Sequence, residues 1–338
     1  MSYVIRRVLL SILSVAGVVV VTFLLSRVVP GDPAVLAAGR ISNPRTIEGL
    51  RKQMGLDKPL YQQFFIYIKD VIVRQDLGRS LISKRPVMED LKAYFPATLE
   101  VVSLSMILIT LIGIATGVLS AVRQNRLSDH VVRGISLAGI SMPEFWFAIM
   151  MQFLFAWLIA GFPVDSRVST EVLMQNPLKR ITGLLVFDSL VQGNWPVLVS
   201  AIAHLVLPVM TLTFTAVGQI TRVTRAAMLE VLSKDYIRTA RAAGMRESRV
   251  VFRYALKNAL IPVLTMLGMV YGFLLGGDVL IEAVFSWPGL GRYAVQAISR
   301  LDYPAILGVT LLGACIVIFL NLAVDLLYAV VDPSIEYD

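Results

Sequence analysis

Charged residues along the chain are spaced so that six stretches contain no Asp, Glu, Lys or Arg: Val8 to Ser26, Val101 to Val122, Phe145 to Val164, Ser189 to Thr221, Asn258 to Gly277 and Tyr303 to Val324. Each is close to or above the roughly 20 apolar residues that a helix needs to cross the hydrocarbon of a bilayer. The pattern predicts an all-α polytopic membrane protein with six transmembrane helices.

Arg6 and Arg7 ahead of the first stretch resemble a secretory leader. Five further spans make a signal-anchor the better reading. The long segment after it carries helix starts in which Pro follows a polar or turn residue. Asn43-Pro44 opens a helix that Gly55 can close. Pro59 opens another with Leu60, Phe64, Ile68, Val71 and Ile72 on one face, suited to packing on the spans or lying at the interface, and Pro86 opens a third. With no internal repeat, the chain divides into an N-terminal helix (1–29), a helical loop (30–96), a core of five helices (97–331) containing a long loop at 222–257, and a short tail (332–338).

Six spans place both termini on one side, and Lys/Arg counts in short loops choose that side. The loop after span two holds three arginines (Arg123, Arg126, Arg133), and 222–257 holds nine Lys/Arg against Glu230, Asp235 and Glu247. The loops after spans three and five hold three and two. Both termini are therefore expected in the cytoplasm. The eleven Lys/Arg of 30–96 run the other way, in a loop too long for the rule to apply.

Composition sharpens the class: 57% of the 338 residues are hydrophobic and 16% charged, where a soluble domain has about 25% charged. Chemistry is sparse. No Gly-Lys-Ser/Thr phosphate loop occurs, so ATP hydrolysis is expected elsewhere. His130, His204 and Cys315 lie on separate segments without metal-ligand spacing, so no metal and no catalytic residue is assigned. Asp278 and Asp325 could form an acid pair. However, Asp278 lies about 24 Å above Pro262 at 1.5 Å per residue while Asp325 returns to the opposite face, so no carboxylate pair is expected at one depth. Glu144, directly after Pro143, is the acid that interrupts span three and is the candidate for the substrate pathway; its alternative is a carboxylate snorkelling to the surface.

Within 222–257, Tyr236, Ala240, Ala243 and Gly244 share one helical face, and Lys234, Arg238 and Arg241 another. Small residues would let a partner's backbone approach. A second helix, with Arg249, Arg253 and Lys257 at intervals of four, is expected to run straight into span five. Such a short helix joined rigidly to a span can dock a soluble partner or simply anchor the loop.

The stretch Asp235-Tyr236-Ile237-Arg238-Thr239-Ala240-Arg241-Ala242-Ala243-Gly244, followed by Asn258-Ala259-Leu260-Ile261-Pro262, resembles the signature loop of permeases of binding-protein-dependent ABC importers. Arg238, Thr239 and Ala240 stand where the general signature has Glu-Ala-Ala, a departure typical of the peptide and nickel branch. Other segments resemble that branch: Pro30-Gly31-Asp32-Pro33, Gly55 to Leu60, Asp76-Leu77-Gly78-Arg79-Ser80, Pro96-Ala97-Thr98-Leu99, Phe285 to Arg292, and Asp325 to Tyr328 before Asp332-Pro333. The match is nearest to the first permease subunit of dipeptide importers.

This resemblance implies a type I ABC importer permease fold in a bacterial or archaeal cytoplasmic membrane. It implies a homologous second permease subunit, two cytoplasmic ATPase subunits that hold ATP and Mg, and an extracytoplasmic solute-binding protein, with membrane lipid around them and no nucleic acid. Asp235, Tyr236, Arg238, Thr239, Ala240, Arg241, Ala243 and Gly244 would form the ATPase-docking helix. Oligopeptide, glutathione and nickel-chelate importers, and a proton-coupled secondary transporter, remain as alternatives.

Overall fold

The computed structural model describes residues 2–28, 35, 43–53, 55–74, 76–276 and 278–331. The Pro30 to Pro33 motif, Gly277, Asp332-Pro333 and the tail fall outside the described residues. Helix α1 (Ser2–Val28) is followed by the short α2 (Pro44–Gln53) and α3 (Leu60–Ile68). Next come α4 (Val87–Val122), α5 (Leu127–Ser141), α6 (Glu144–Leu158), the short α7 (Thr170–Gln175) and α8 (Leu185–Val191), and the 38-residue α9 (Trp195–Leu232). The chain continues through α10 (Asp235–Ala242), α11 (Glu247–Leu275, π-helical at Val250–Ala255), α12 (Val279–Val284), α13 (Leu290–Ser299) and α14 (Tyr303–Val331). Outside helices, the described residues contain one isolated antiparallel bridge, between Arg79 and Pro86.

Five helices, α1, α4, α9, α11 and α14, are long and apolar enough to span a membrane, and α5 and α6, bent by 104° at their break, pass the same test only as a pair. The third span was expected as one helix from Phe145 to Val164. Instead α6 has 15 residues, about 22 Å of helix against roughly 30 Å of hydrocarbon, so it is too short to cross without α5. Pro143 explains the break: its ring pushes the preceding residue out of helical geometry, and Met142 is extended at φ −87°, ψ 129°.

The expected boundaries shift in three other places. The division at 96/97 falls inside α4. The start of the fourth span moves from Ser189 to Trp195, after a separate α8 and an Asn194 cap that accepts from Val197 N at 3.3 Å. The basic loop 222–257 is mostly helix, because α9 continues to Leu232 and α11 begins at Glu247. A charged residue ends an apolar stretch without ending a helix. As expected, α11 runs without interruption from the loop into the fifth span.

Helix α9 is central, packed on α4, α11, α5 and α6. Since lipid solvates apolar side chains as well as protein does, association in a bilayer depends on close approach. Gly113 and Gly117, a small-xxx-small pair on α4, meet Ile220, Thr221 and Thr224 of α9, and a Cβ at Gly117 would sit 2.8 Å from the Thr221 carbonyl oxygen. Helix α1 is peripheral. Phe23 packs edge-on against Phe64 of α3 with centroids 5.1 Å apart, so α3 lies on α1 as its apolar face predicts, although Leu60 and Ile72 are exposed. At its other end Arg7 pairs with Asp325 of α14 at 3.0 Å.

Candidate functional site

Helix α10 is held to the bundle by two residues. Ile237 and Ala240 are buried among Val118 and Ala121 of α4, Met228 of α9, and Val250, Val251, Ala255 and Ala259 of α11. Asp235, Tyr236, Arg238, Thr239, Arg241, Ala243 and Gly244 are all exposed. Of the eight expected docking residues only Ala240 turns inward, so the face expected to meet a partner is divided: its middle packs on its own chain. Ile237, absent from the expected docking set, is the anchor, and its signal is a lone large aliphatic side chain in a stretch of polar and small residues.

The ends of α10 are fixed by polar contacts. Asn258 Nδ2 donates to Tyr236 Oη at 3.0 Å, and Arg241 donates through Nη2 and Nε to both Glu247 oxygens at 2.7 and 3.1 Å. Gly244 N donates to Arg241 O and Met245 N to Ala240 O, at 3.0 and 3.2 Å, a closure in which the residue after the helix is left-handed. Gly244 has φ +74° with open space around it, so glycine is needed for conformation, not for room.

Glu144 opens α6 at the break, and its carboxylate interacts with the Thr215 hydroxyl and the Asp278 carboxylate. Thr215, at the middle of α9, is buried, while Glu144 itself is half-buried. Asp278 caps α12 by accepting from Ile281 N at 3.2 Å through Oδ1, while Oδ2 is buried without an N–H or hydroxyl donor. The expectation that no two carboxylates share a depth is corrected here. Asp325 is occupied by Arg7, as the separation from Asp278 required, and the pair arises from two interrupted helices that bring Glu144 and Asp278 together. Two acidic side chains this close to each other form a place that a cation would favour.

Beyond α11, two recognised segments lock onto each other. Trp287 Nε1 donates to Ala97 O at 2.9 Å, and Leu290 N to Thr98 Oγ1 at 2.8 Å. Glu282 Oε1 accepts from Thr98 Oγ1 at 2.6 Å and Oε2 from Arg292 N at 2.9 Å. Burial pushes Glu282 up to about 7, with the Asp278 charge adding to it and the Thr98, Arg292 and Gly291 hydrogen bonds opposing. A Cβ at Gly289 would collide with both the Glu282 carboxylate and the Thr98 hydroxyl.

The same end is tied down elsewhere. Glu100 accepts from Arg167 Nη2 at 2.6 Å and from Val186 N at 2.7 Å. Asp188 gathers the N–H groups of Ile181, Thr182 and Gly183 at 2.9 to 3.1 Å; burial works against its charge, yet these bonds and the Thr182 hydroxyl hold it below the usual carboxylate range. Ser80, from the Asp76 to Ser80 segment, donates to Asp302 at 2.5 Å.

Known proteins place this arrangement. The family model described as binding-protein-dependent transport system inner membrane component matches residues 113–337, and its N-terminal companion matches 1–102. The "Probable D,D-dipeptide transport system permease protein DdpB" of Escherichia coli (strain K12) is 45% identical over 96% of this chain and 94% of its own. The dipeptide transport system permease protein DppB of Alkalihalophilus pseudofirmus is 42% identical over the whole of both chains. The glutathione transport system permease protein GsiC of Escherichia coli O6:H1 is 38% identical over 100% and 99%. Among solved structures, a chain of the inward-facing MetNI methionine ABC transporter superposes with a TM-score of 0.53 at 19% identity, covering 72% of this chain and 97% of that one. The described helices thus share the fold of an ABC transporter permease, and the chain belongs to the family of inner-membrane components of binding-protein-dependent transport systems.

Proposed function

We propose that this chain forms half of the pathway of an ATP-driven dipeptide importer and receives the ATPase stroke through α10. The observation that carries the reading is the form of α10: an inner edge fixed by Ile237 and Ala240, an outer edge of charged and small residues left exposed, and a short link to α11, which runs on into a span. On this reading Asp235, Tyr236, Arg238, Thr239, Arg241, Ala243 and Gly244 contact one cytoplasmic ATPase. The excess of Lys/Arg around α10 supports a cytoplasmic position for it and for both termini. A homologous second permease subunit completes the pathway. Two ATPases supply ATP and Mg, and an external binding protein delivers the substrate. The chain itself breaks no bond.

Peptide is favoured because relatives at 42 to 45% identity carry dipeptide names and those at 38% a glutathione name. The Glu144–Asp278 contact fits the same cargo, since a peptide brings a free ammonium group that two carboxylates attract. A proton-coupled transporter would use the same pair, and transport that persists without the ATPases would support it instead.

The decisive experiment is Gly244→Asp in the reconstituted transporter. The protein should remain in the membrane while ATP-driven uptake falls more than about tenfold, because an L-residue strains at φ +74° and a charge intrudes on the contact. Normal uptake would refute the docking role. For the pathway, Glu144→Gln should lower uptake of a lysine-containing dipeptide more than of a glutamate-containing one, with binding-protein affinity unchanged. Equal effects on both would remove the charge-selective role.

A further inference from the structure

A cleft of about 670 Å³ opens between α5 and α9, near the end of α9 that leads into α10. His130, Arg133, Arg222 and Arg225 line it together with Leu137 and Ile140. Arg225 is satisfied, donating from Nε and Nη2 to both oxygens of buried Asp129 at 2.8 and 2.9 Å. Arg133 and Arg222 are exposed and have no ion-pair partner among the described residues. Two uncompensated guanidinium groups therefore face one opening whose far wall is apolar, with Leu137 65% exposed.

The depth of this opening identifies its occupant. No charged residue occurs between Arg133 on α5 and Glu144 at the start of α6, nor from Ser189 to Thr221 on the way to Arg222. Both arginines are thus the last charges before uncharged helix, at the level where hydrocarbon gives way to headgroups. Guanidinium groups bind phosphate oxygens in pairs, and the exposed Leu137 and half-buried Ile140 beside them suit the first methylenes of an acyl chain.

We infer that this cleft binds the phosphate headgroup of an anionic phospholipid, which joins the half-helix preceding the Pro143 break to the helix that leads into α10. The inference needs only that the chain spans a membrane, so it stands or falls separately from the peptide reading.

The test uses the transporter purified with its partner chains and exchanged into equal amounts of phosphatidylglycerol and phosphatidylcholine, with retained lipid counted by native mass spectrometry. The wild type should retain phosphatidylglycerol in preference by about tenfold. Arg133→Gln with Arg222→Gln should bring that preference to near parity, whereas Arg249→Gln with Arg253→Gln, which removes equal charge from α11, should leave it intact. No preference in the wild type, or the same loss in both double variants, would overturn the proposal.

A second measurement covers the case in which the double variant fails to assemble. A phosphatidylglycerol carrying a photoactivatable group near its phosphate should label wild-type residues 130–140 and 221–226. Labelling confined to other segments would overturn the site. Loss of the label to millimolar inorganic phosphate would assign it to a soluble anion. Loss to dipeptide would assign it to the peptide carboxylate, and efficient cross-linking of Leu137→Cys to the second permease subunit would assign the cleft to a protein interface. Each of these three results also overturns the lipid assignment.

Discussion

The two ends of the bundle are built on opposite plans. Around α12 and α13, side chains far apart in sequence are interlocked: Trp287 on Ala97, Glu282 on Thr98, Arg167 on Glu100, Ser80 on Asp302. Around α10, a single short helix touches the bundle through Ile237 and Ala240, and most of its polar contacts link residues close in sequence, such as Arg241 with Glu247. One end is a rigid plate and the other a loosely mounted foot. An interlocked end keeps the far ends of the spans in register, whereas an end held by few long-range contacts opens at a lower free energy.

The largest expected effect falls on the plate. Gly289→Val should cost above about 4 kcal/mol, because a side chain collides with a buried carboxylate and hydroxyl that have nowhere to move. Size-exclusion profiles of the solubilised protein should show little folded material. A well-folded, thermally normal variant would contradict the interlocked description.

Ile237→Ala is the matching change at the foot, with a local cost of roughly 3 kcal/mol. Amide exchange across 233–246 should rise sharply while α4 and α9 stay protected. If the whole bundle loosened, the two ends would not be independent.

The Glu282 carboxyl sharpens the contrast through pH. Its folded value of about 7 lies above the ordinary 4.5, so the folded state holds a proton that the unfolded state has released. That stabilisation is complete below about 4.5 and is lost as pH rises through about 7, at most about 3 kcal/mol in total. The melting temperature should therefore fall between pH 5 and 8 by more in the wild type than in Glu282→Gln. Equal slopes would place the pH response elsewhere.

The smallest effect is expected for Asn258→Ala, which removes the bond to Tyr236 and should cost about 1 kcal/mol. Exchange at the start of α10 should rise slightly with uptake nearly unchanged. A severe transport defect would mean that the foot is mounted less loosely than its contacts imply.

What could be read in the sequence follows from the range of the interactions involved. The apolar stretches are local, and five became helices close to where they were expected. Helix α10 was legible because its pattern lies within ten residues. Pro143 and Glu144 were both noticed, yet the break at Met142 was read as an interruption near the start of a span instead of a bend within one. The contact of Glu144 with Asp278 joins residues 134 positions apart, so nothing local could announce it. Gly113 and Gly117 are a different kind of miss: four residues apart in an apolar run, they were a visible sign that α4 would be approached closely.

The ion pair between Arg7 and Asp325 ties α1 to α14. A charge pair at the margin of two apolar helices sets which of their faces meet, because rotating either helix would turn a charge toward apolar surroundings. The peripheral α1 is thus oriented in part by this pair, where an apolar face alone would accept several orientations.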